Sequence, residues 1–166
     1  EAITILGGAD IRILTKYPTR WLDDRPLVDL VRPIEKLINE IKPTVIVIPT
    51  PLSFHQEHRV TAEAVLAATR PSGATGNYRP PIIACYEEMS DHWTTNGDSS
   101  RINWFVQLTG DMVADKTSAM KAHKVDEDRP VPSERSHQAI QSLAIVRGAQ
   151  CGTQYAEAYE VRLWLS

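Results

Sequence analysis

The stretch from Lys42 to His58, KPTVIVIPTPLSFHQEH, decides how the chain is expected to fold. Its four consecutive β-branched apolar residues, Val45 to Ile48, predict a strand that is covered by helices on both faces. Lys42 and Pro43 predict the end of a preceding helix, because proline is disfavoured in a helix interior. A loop follows the strand, and a further helix is expected after it. This order of helix, strand, loop and helix is typical of α/β proteins.

The same alternation continues in both directions along the chain. Apolar residues spaced by three and four between Leu27 and Ile41 predict a helix with one apolar face. We expect further strands at 3–6, 82–87, 104–108 and 155–165, and further helices at about 57–69, at about 112–124 and from a Ser133 N-cap to Gly148. The predicted fold class is α/β, as a Rossmann-like three-layer sandwich with a mostly parallel sheet.

The composition is that of a globular protein and excludes several classes. Of the 166 residues, 42% are apolar and 23% are charged, which excludes a disordered or fibrous chain. The net charge is −3 and no basic run occurs, which argues against nucleic-acid binding. No apolar run approaches the roughly 20 residues that a transmembrane helix needs. Cys85 and Cys151 show no disulfide pattern, so we expect a reducing, cytoplasmic location.

Two histidines, His55 and His58, follow directly after the most strand-like segment. In open α/β sheets, ligands bind beyond the carboxyl ends of the strands, which is where this loop emerges. A separation of three residues at the start of a helix places both imidazoles on one side. Such a pair suits zinc binding or acid–base chemistry, and it also suits two solvated or capping side chains. A catalytic zinc needs about three protein ligands, and this loop does not supply three.

Six ordered motifs are spread over nearly the whole chain. They are Ile5-Leu6-Gly7 with the segment 21–27, Lys42-Pro43-Thr44-Val45-Ile46, His55-Gln56-Glu57-His58, Tyr86-Glu87, Lys116 with Ala119, Ala122 and His123, and the closing set of Arg147-Gly148, Gly152 and Tyr155-Ala156-Glu157-Ala158-Tyr159. In this order they resemble the LmbE-like N-acetylglucosaminyl deacetylases, the PIG-L family, which includes the N-acetylglucosaminyl-phosphatidylinositol de-N-acetylase. The resemblance implies one deacetylase domain over residues 1–166.

Three departures from the family pattern bear on the site. The family's opening strand ends in His-Pro-Asp-Asp-Glu, which supplies two zinc ligands and the general base, and no such motif occurs in this sequence. Gln56 and Glu57 replace the proline and aspartate of the family's His-Pro-Asp-His loop, and Val125-Asp126 replaces its Ser-Gln pair. The resemblance therefore implies that this chain is the C-terminal part of the domain, with two strands upstream of Glu1.

The resemblance implies a zinc-dependent hydrolase that removes the acetyl group from an N-acetylglucosamine conjugate, either a small molecule or a glycolipid. It implies His58 as a zinc ligand, His55 as the catalytic histidine and Glu57 as the carboxylate that orients His55. Tyr86 is implied as a substrate-binding residue. Zinc lowers the pKa of bound water to roughly 7, which makes hydroxide available for amide hydrolysis. A homo-oligomer is one way to cover the sheet edge that two missing strands would leave.

Two other interpretations remain open at this point. The chain could be a non-catalytic α/β domain of the same descent that binds only a sugar or a partner, or an unrelated doubly wound domain that binds a nucleotide. The sequence upstream of Glu1 separates the first of these from the enzyme. The remaining histidines are predicted to have no part in the site, with His123 packed and His92 and His137 solvated.

Overall fold

The structure, a computed structural model, describes residues 2–14, 16, 22–71, 76–89, 101–122 and 133–166. Helices and strands are interspersed along these residues, and the predicted α/β class is confirmed. The helices are α1 (Ala2–Ile5), α2 (Leu27–Ile41), α3 (Gln56–Ala68), α4 (Gly110–Ala122) and α5 (His137–Cys151), and the strands are β1 (Val45–Ile48), β2 (Ile82–Tyr86), β3 (Trp104–Leu108) and β4 (Tyr155–Trp164).

The four strands are hydrogen-bonded in the order β1-β2-β4-β3. β1 and β2 are parallel, with Ile48 opposite Cys85. β2 and β4 are antiparallel, with Tyr86 opposite Tyr159. The sheet is mostly antiparallel, so the prediction of a mostly parallel sheet is wrong. The apolar pattern of β4 identifies it as a strand but does not encode its direction, which only its pairing reveals.

The prediction that β1 is covered on both faces is also wrong for the described part of the chain. Val45 and Val47 are 38% and 47% exposed, whereas Ile48 is 3% exposed. Alternate residues of a strand point to opposite faces, so only the face that carries Ile48 is packed. The core on that face consists of Ile48, Ala62, Val65, Ile83 and Cys85.

The first short segment differs from its prediction. The apolar run at 3–6 predicts a strand, but Ala2–Ile5 is a single helical turn. Gly8 ends it, because its φ is 86° and its N–H donates to the Ile3 carbonyl at 2.8 Å. A segment of four residues, three of them apolar, is too short to show a period that separates helix from strand.

The bounds of α5 differ from prediction at both ends. Ser136 rather than Ser133 is the N-cap, and its hydroxyl accepts a hydrogen bond from the Ala139 N–H at 3.2 Å. Gly152, with φ 79°, is the C-cap. Gly148 lies inside the helix, where a Cβ would come within 2.6 Å of the Gln154 backbone. Gly148 is therefore required for close backbone approach rather than for ending the helix.

The chain divides into two compact units. One comprises Glu1–Arg12 and Trp104–Ala158, in which α4 packs against α1 and α5. The other comprises Ile13–Asn103 and Tyr159–Ser166, in which α3 packs against α2 and β1. All four predicted site residues belong to the second unit. The single-domain assignment and the three-layer arrangement stay predictions.

Two further sequence expectations concern the environment of the protein. Across the ranges given above, no helix combines the length and apolar character needed to cross a membrane. Cys85 is buried and Cys151 is exposed, and neither forms a disulfide.

Candidate functional site

The candidate site lies where the parallel strands β1 and β2 end. Ile48 closes β1 and lies opposite Cys85, the last residue but one of β2. Because parallel strands end at the same edge of a sheet, the segments that follow them emerge side by side. This edge brings together the loop 49–55, the start of α3 and the acidic residues that follow β2.

Hydrogen bonds within the β1–α3 loop hold it in a defined shape. Thr50 and Ser53 are 0% and 1% exposed. The Ser53 N–H donates to the Thr50 carbonyl at 3.2 Å, and the Leu52 N–H donates to the Thr50 hydroxyl at 3.2 Å. The Arg59 guanidinium donates to the carbonyls of Ser53 and Phe54 at 2.8 and 2.7 Å. The loop therefore presents the residues at its end from a fixed backbone.

The two histidines meet at the first turn of α3. His55 is the N-cap, and its carbonyl accepts hydrogen bonds from the N–H groups of His58 and Arg59 at 3.1 and 3.2 Å. The imidazole rings of His55 and His58 stack with centroids 4.7 Å apart and planes 29° apart. The expectation that both rings lie on one side is therefore confirmed.

Glu88 joins the histidines from the segment after β2. Its Oε1 lies 2.5 Å from His58 Nδ1, and its Oε2 accepts a hydrogen bond from the Ser53 hydroxyl at 3.0 Å. The Ser53 hydroxyl accepts in turn from the His55 N–H at 3.2 Å. The side chains of His58 and Glu88 are 33% and 12% exposed. We call Ser53, His55, His58 and Glu88 the edge cluster.

One atom of the edge cluster stands out by its lack of a partner. His55 Nδ1 is buried, and within the described ranges no hydrogen-bonding group reaches it. A buried polar atom without a hydrogen bond costs about 1–3 kcal/mol, so it marks a position kept for some other reason than stability. The Phe54 ring, 49% exposed, lies edge-on to the His55 imidazole at 6.4 Å. These aromatic neighbours therefore contribute to the orientation of the His55 ring.

The other predicted site residues have defined places, but their roles stay predictions. Glu57 lies in the first turn of α3, where its carbonyl accepts a hydrogen bond from the Thr61 hydroxyl at 2.7 Å. Tyr86 ends β2 and is half-buried. His137 is exposed, as predicted. The expectations for His92 and His123 fall outside the described residues.

Sequence reasoning missed Glu88 and Ser53. The available signal was the acidic pair Glu87-Glu88, which follows directly after an apolar run. To use that signal, one must know that β2 is the parallel neighbour of β1, because only this pairing places Glu88 beside the β1–α3 loop. Strand adjacency is a property of the folded sheet, so the sequence pattern alone does not predict this contact.

The edge cluster fits one ligand position of a metal site. Ligating imidazoles almost always donate their second ring N–H to a carboxylate or carbonyl, and His58 has Glu88 in that place. Among the residues that the structure describes, no three His, Cys, Asp or Glu side chains are grouped so that they could hold a metal ion. These residues alone therefore do not form a catalytic zinc site, which takes about three protein ligands.

Residues 1–69 match the family model described as PIG-L, GlcNAc-PI de-N-acetylase. No curated protein matches the chain significantly. The matched part includes β1, the β1–α3 loop and α3, and so it contains both histidines of the edge cluster.

Solved structures with a similar fold include two deacetylases and a hydratase. The N,N'-diacetylchitobiose deacetylase from Pyrococcus horikoshii is 18% identical with a TM-score of 0.72, over 96% of this chain and 60% of that one. The A40926 pseudoaglycone deacetylase Dbv21 is 19% identical with a TM-score of 0.68, over 99% of this chain and 68% of that one. The 4-carboxy-2-hydroxymuconate hydratase GalB from Pseudomonas putida KT2440 is 14% identical with a TM-score of 0.69, over 99% of this chain and 69% of that one.

At these identities the structural likeness establishes the fold alone, and it spans relatives with different reactions. This chain spans about 60% of the length of the chitobiose deacetylase. The family match is independent of that likeness, because it rests on the sequence of residues 1–69. The resemblance of this chain to the PIG-L family, first indicated by its ordered motifs, is therefore confirmed.

Proposed function

We propose that the protein is a zinc-dependent hydrolase that removes the acetyl group from an N-acetylglucosamine conjugate, which is a small molecule or a glycolipid. The observation that carries this proposal is the stacked pair of His55 and His58 at the carboxyl end of β1. The pair lies within the stretch that matches the GlcNAc-PI de-N-acetylase model. Two relatives of similar fold are also named as deacetylases, which supports amide hydrolysis as the reaction class.

In this proposal the two histidines have different roles. His58 is a zinc ligand, and the remaining ligands come from outside the described residues. Zinc, when bound, supplies hydroxide by lowering the pKa of a bound water. His55 donates a proton to the leaving sugar amine or stabilises the oxyanion, since its Nδ1 is not engaged by another described side chain. Glu57 orients His55, and Tyr86 contacts the substrate.

The second candidate is a non-catalytic domain that binds a sugar or a partner. It is favoured by the lack of a three-ligand group within the described ranges. The replacement of proline and aspartate by Gln56 and Glu57 in the histidine loop favours it as well. The interpretation as an unrelated nucleotide-binding domain loses its support, because residues 1–69 match a deacetylase family.

The cytoplasmic location and the homo-oligomer complete this proposal. The location rests on Cys85 and Cys151, which form no disulfide and suit a reducing compartment. The oligomer rests on β1, which ends the strand order and carries the exposed side chains Val45 and Val47. A strand of this kind is commonly protected by another chain or segment.

The test uses the complete protein that contains this chain. We expect it to bind zinc in stoichiometric amount and to release acetate from an N-acetylglucosamine conjugate. His58→Ala should lower the zinc affinity by at least about tenfold and lower the rate with it, because a ligand is removed. His137→Ala is the matched control, since His137 is an exposed histidine at the start of another helix. Metal analysis after dialysis and acetate release measure the two effects.

Three outcomes would contradict parts of the proposal. Unchanged zinc affinity in His58→Ala would remove His58 from the ligand set. Sugar binding by the zinc-loaded protein without acetate release would favour the non-catalytic domain. Hydration of an unsaturated acid such as 4-carboxy-2-hydroxymuconate, without amide hydrolysis, would place the protein with the hydratase of similar fold.

A further inference from the structure

The carboxylate of Glu88 bridges two side chains of the edge cluster, His58 and Ser53. We propose that Glu88 is a positioning residue: with Ser53 it holds the proton of His58 on Nδ1, so that Nε2 carries the lone pair and is the ligating atom. This inference rests on the proposed function, because it concerns the ligand atom of the same site. The role of Glu88 can be tested without an activity assay, because it concerns the tautomer of His58.

The assignment follows from counting protons in the cluster. The Ser53 hydroxyl has one proton, and it donates this proton to Glu88 Oε2 at 3.0 Å. Ser53 therefore cannot also donate to His58 Nδ1, which lies 3.4 Å from the same oxygen. Both oxygens of a carboxylate are acceptors, so in the 2.5 Å contact between Glu88 Oε1 and His58 the donor is Nδ1.

The consequence for His58 is a fixed tautomer. A neutral imidazole has one N–H and one lone pair, so a proton held on Nδ1 leaves the lone pair on Nε2. Exposed histidines favour the opposite form, with the proton on Nε2. Without Glu88, ligation by Nε2 would first require the ring to exchange its tautomer. The carboxylate also fixes the ring orientation.

The supports of Glu88 are well fixed. Glu88 follows β2 by two residues, and the pairing of Ile48 with Cys85 sets the position of that strand end beside the β1–α3 loop. Its side chain is 12% exposed, which limits its alternative conformations. Ser53 is 1% exposed and is held through its carbonyl by Arg59 at 2.8 Å. A side chain that is locked by packing and hydrogen bonds can position its neighbour accurately.

The direct test is the tautomer of His58, read from the ¹⁵N shifts of the imidazole nitrogens in metal-free protein at a pH where the ring is neutral. We expect the Nδ1–H form for His58 in the wild type, with the exposed His137 as internal reference. Glu88→Ala should convert His58 to mostly the Nε2–H form. Glu88→Gln should retain the Nδ1–H form, because its amide oxygen still accepts. Glu87→Ala is the matched control and should leave the tautomer unchanged.

A second measurement follows the ligand role. Zinc affinity of the complete protein should fall by about 10–100-fold in Glu88→Ala and by less in Glu88→Gln, as is usual when the partner of a ligating histidine is removed. An Nε2–H form in the wild type would overturn the inference, and this reading needs no variant to fold. An unchanged tautomer in a folded Glu88→Ala protein would overturn it equally.

The two proposals fail in different ways. If His58 has the Nδ1–H form and Glu88→Ala converts it, but the protein releases no acetate, the positioning role stands and the deacetylase function falls. If the protein releases acetate while His58 has the Nε2–H form, the deacetylase function stands and the role of Glu88 falls.

Discussion

The beginnings of α3 and α5 have similar backbones but different N-cap side chains. His55 has φ −79° and ψ 116°, and Ser136 has φ −67° and ψ 152°, so both residues are extended. The Ser136 hydroxyl accepts a hydrogen bond from the Ala139 N–H at 3.2 Å. His55 makes no capping hydrogen bond with its side chain, and its Nδ1 is buried without a described partner. Of these two helices, α5 alone begins with a side chain that accepts a hydrogen bond from its first turn.

The N-cap of α5 contributes to stability, whereas the N-cap of α3 is better suited to chemistry. A serine or aspartate at an N-cap stabilises a helix by about 1 kcal/mol, and α3 gives up that contribution. Glu57 in its first turn offsets a part of the loss through the helix dipole. A position at which the stabilising residue is missing and a polar atom lacks a partner is typical of a functional site. The comparison therefore singles out His55 independently of any family motif.

The variant His55→Ser should change activity and stability the most, because it gives α3 the kind of cap that α5 has. We expect kcat/KM for acetate release to fall on the order of a hundredfold or more, or about 2.7 kcal/mol in the barrier. Stability should rise by about 0.5–1 kcal/mol, since serine supplies the missing cap. Steady-state kinetics and urea unfolding of the complete protein measure both, with His137→Ser as the control. A loss of both activity and stability would make His55 a structural residue.

Gly148→Ala tests whether Gly148 in α5 contributes to stability rather than to activity. The added Cβ would lie 2.6 Å from the carbonyl carbon and oxygen of Gln154, which are backbone atoms that cannot move aside cheaply. We expect a loss of about 1–3 kcal/mol in the free energy of unfolding, with the activity per folded molecule unchanged. Gln141→Ala, at an exposed position of the same helix, is the control in the same denaturant titration. Equal stability of the two variants would contradict the close approach.

Ser136→Ala should have the smallest effect and removes the cap that distinguishes α5 from α3. We expect a loss of about 1 kcal/mol in thermal or urea unfolding, with no change in zinc affinity or rate. Ser133→Ala is the control, because Ser133 lies before the helix, and its change should stay within about 0.5 kcal/mol. A larger loss in Ser133→Ala than in Ser136→Ala would restore Ser133 as the N-cap.

Elements with regularly spaced apolar residues over many positions were predictable from sequence, and short segments were not. The spacing in Leu27–Ile41 defines a helix, and the structure has α2 at those residues. The run at 3–6 has no such period, and it is helical. The direction of Tyr155–Trp164 was not predictable, because alternation marks a strand without marking the strand it pairs with.

The site was predictable only as far as it is local in the chain. His55 and His58 are neighbours along one helical turn, so their spacing alone brings their rings together. Glu88 is separated from His58 by 30 positions and reaches it through the pairing of two strands. A contact of this kind depends on strand order and register, which no local pattern records.

The parallel register of β1 and β2 has a consequence for how this protein tolerates change. Successive residues of a strand face opposite sides, so a single inserted or deleted residue within Ile82–Tyr86 would turn Glu88 away and shift it along the edge by about 3.3 Å. Many single substitutions in β2 would leave that register intact. We therefore expect this protein to tolerate substitutions in β2 but not insertions or deletions within that strand.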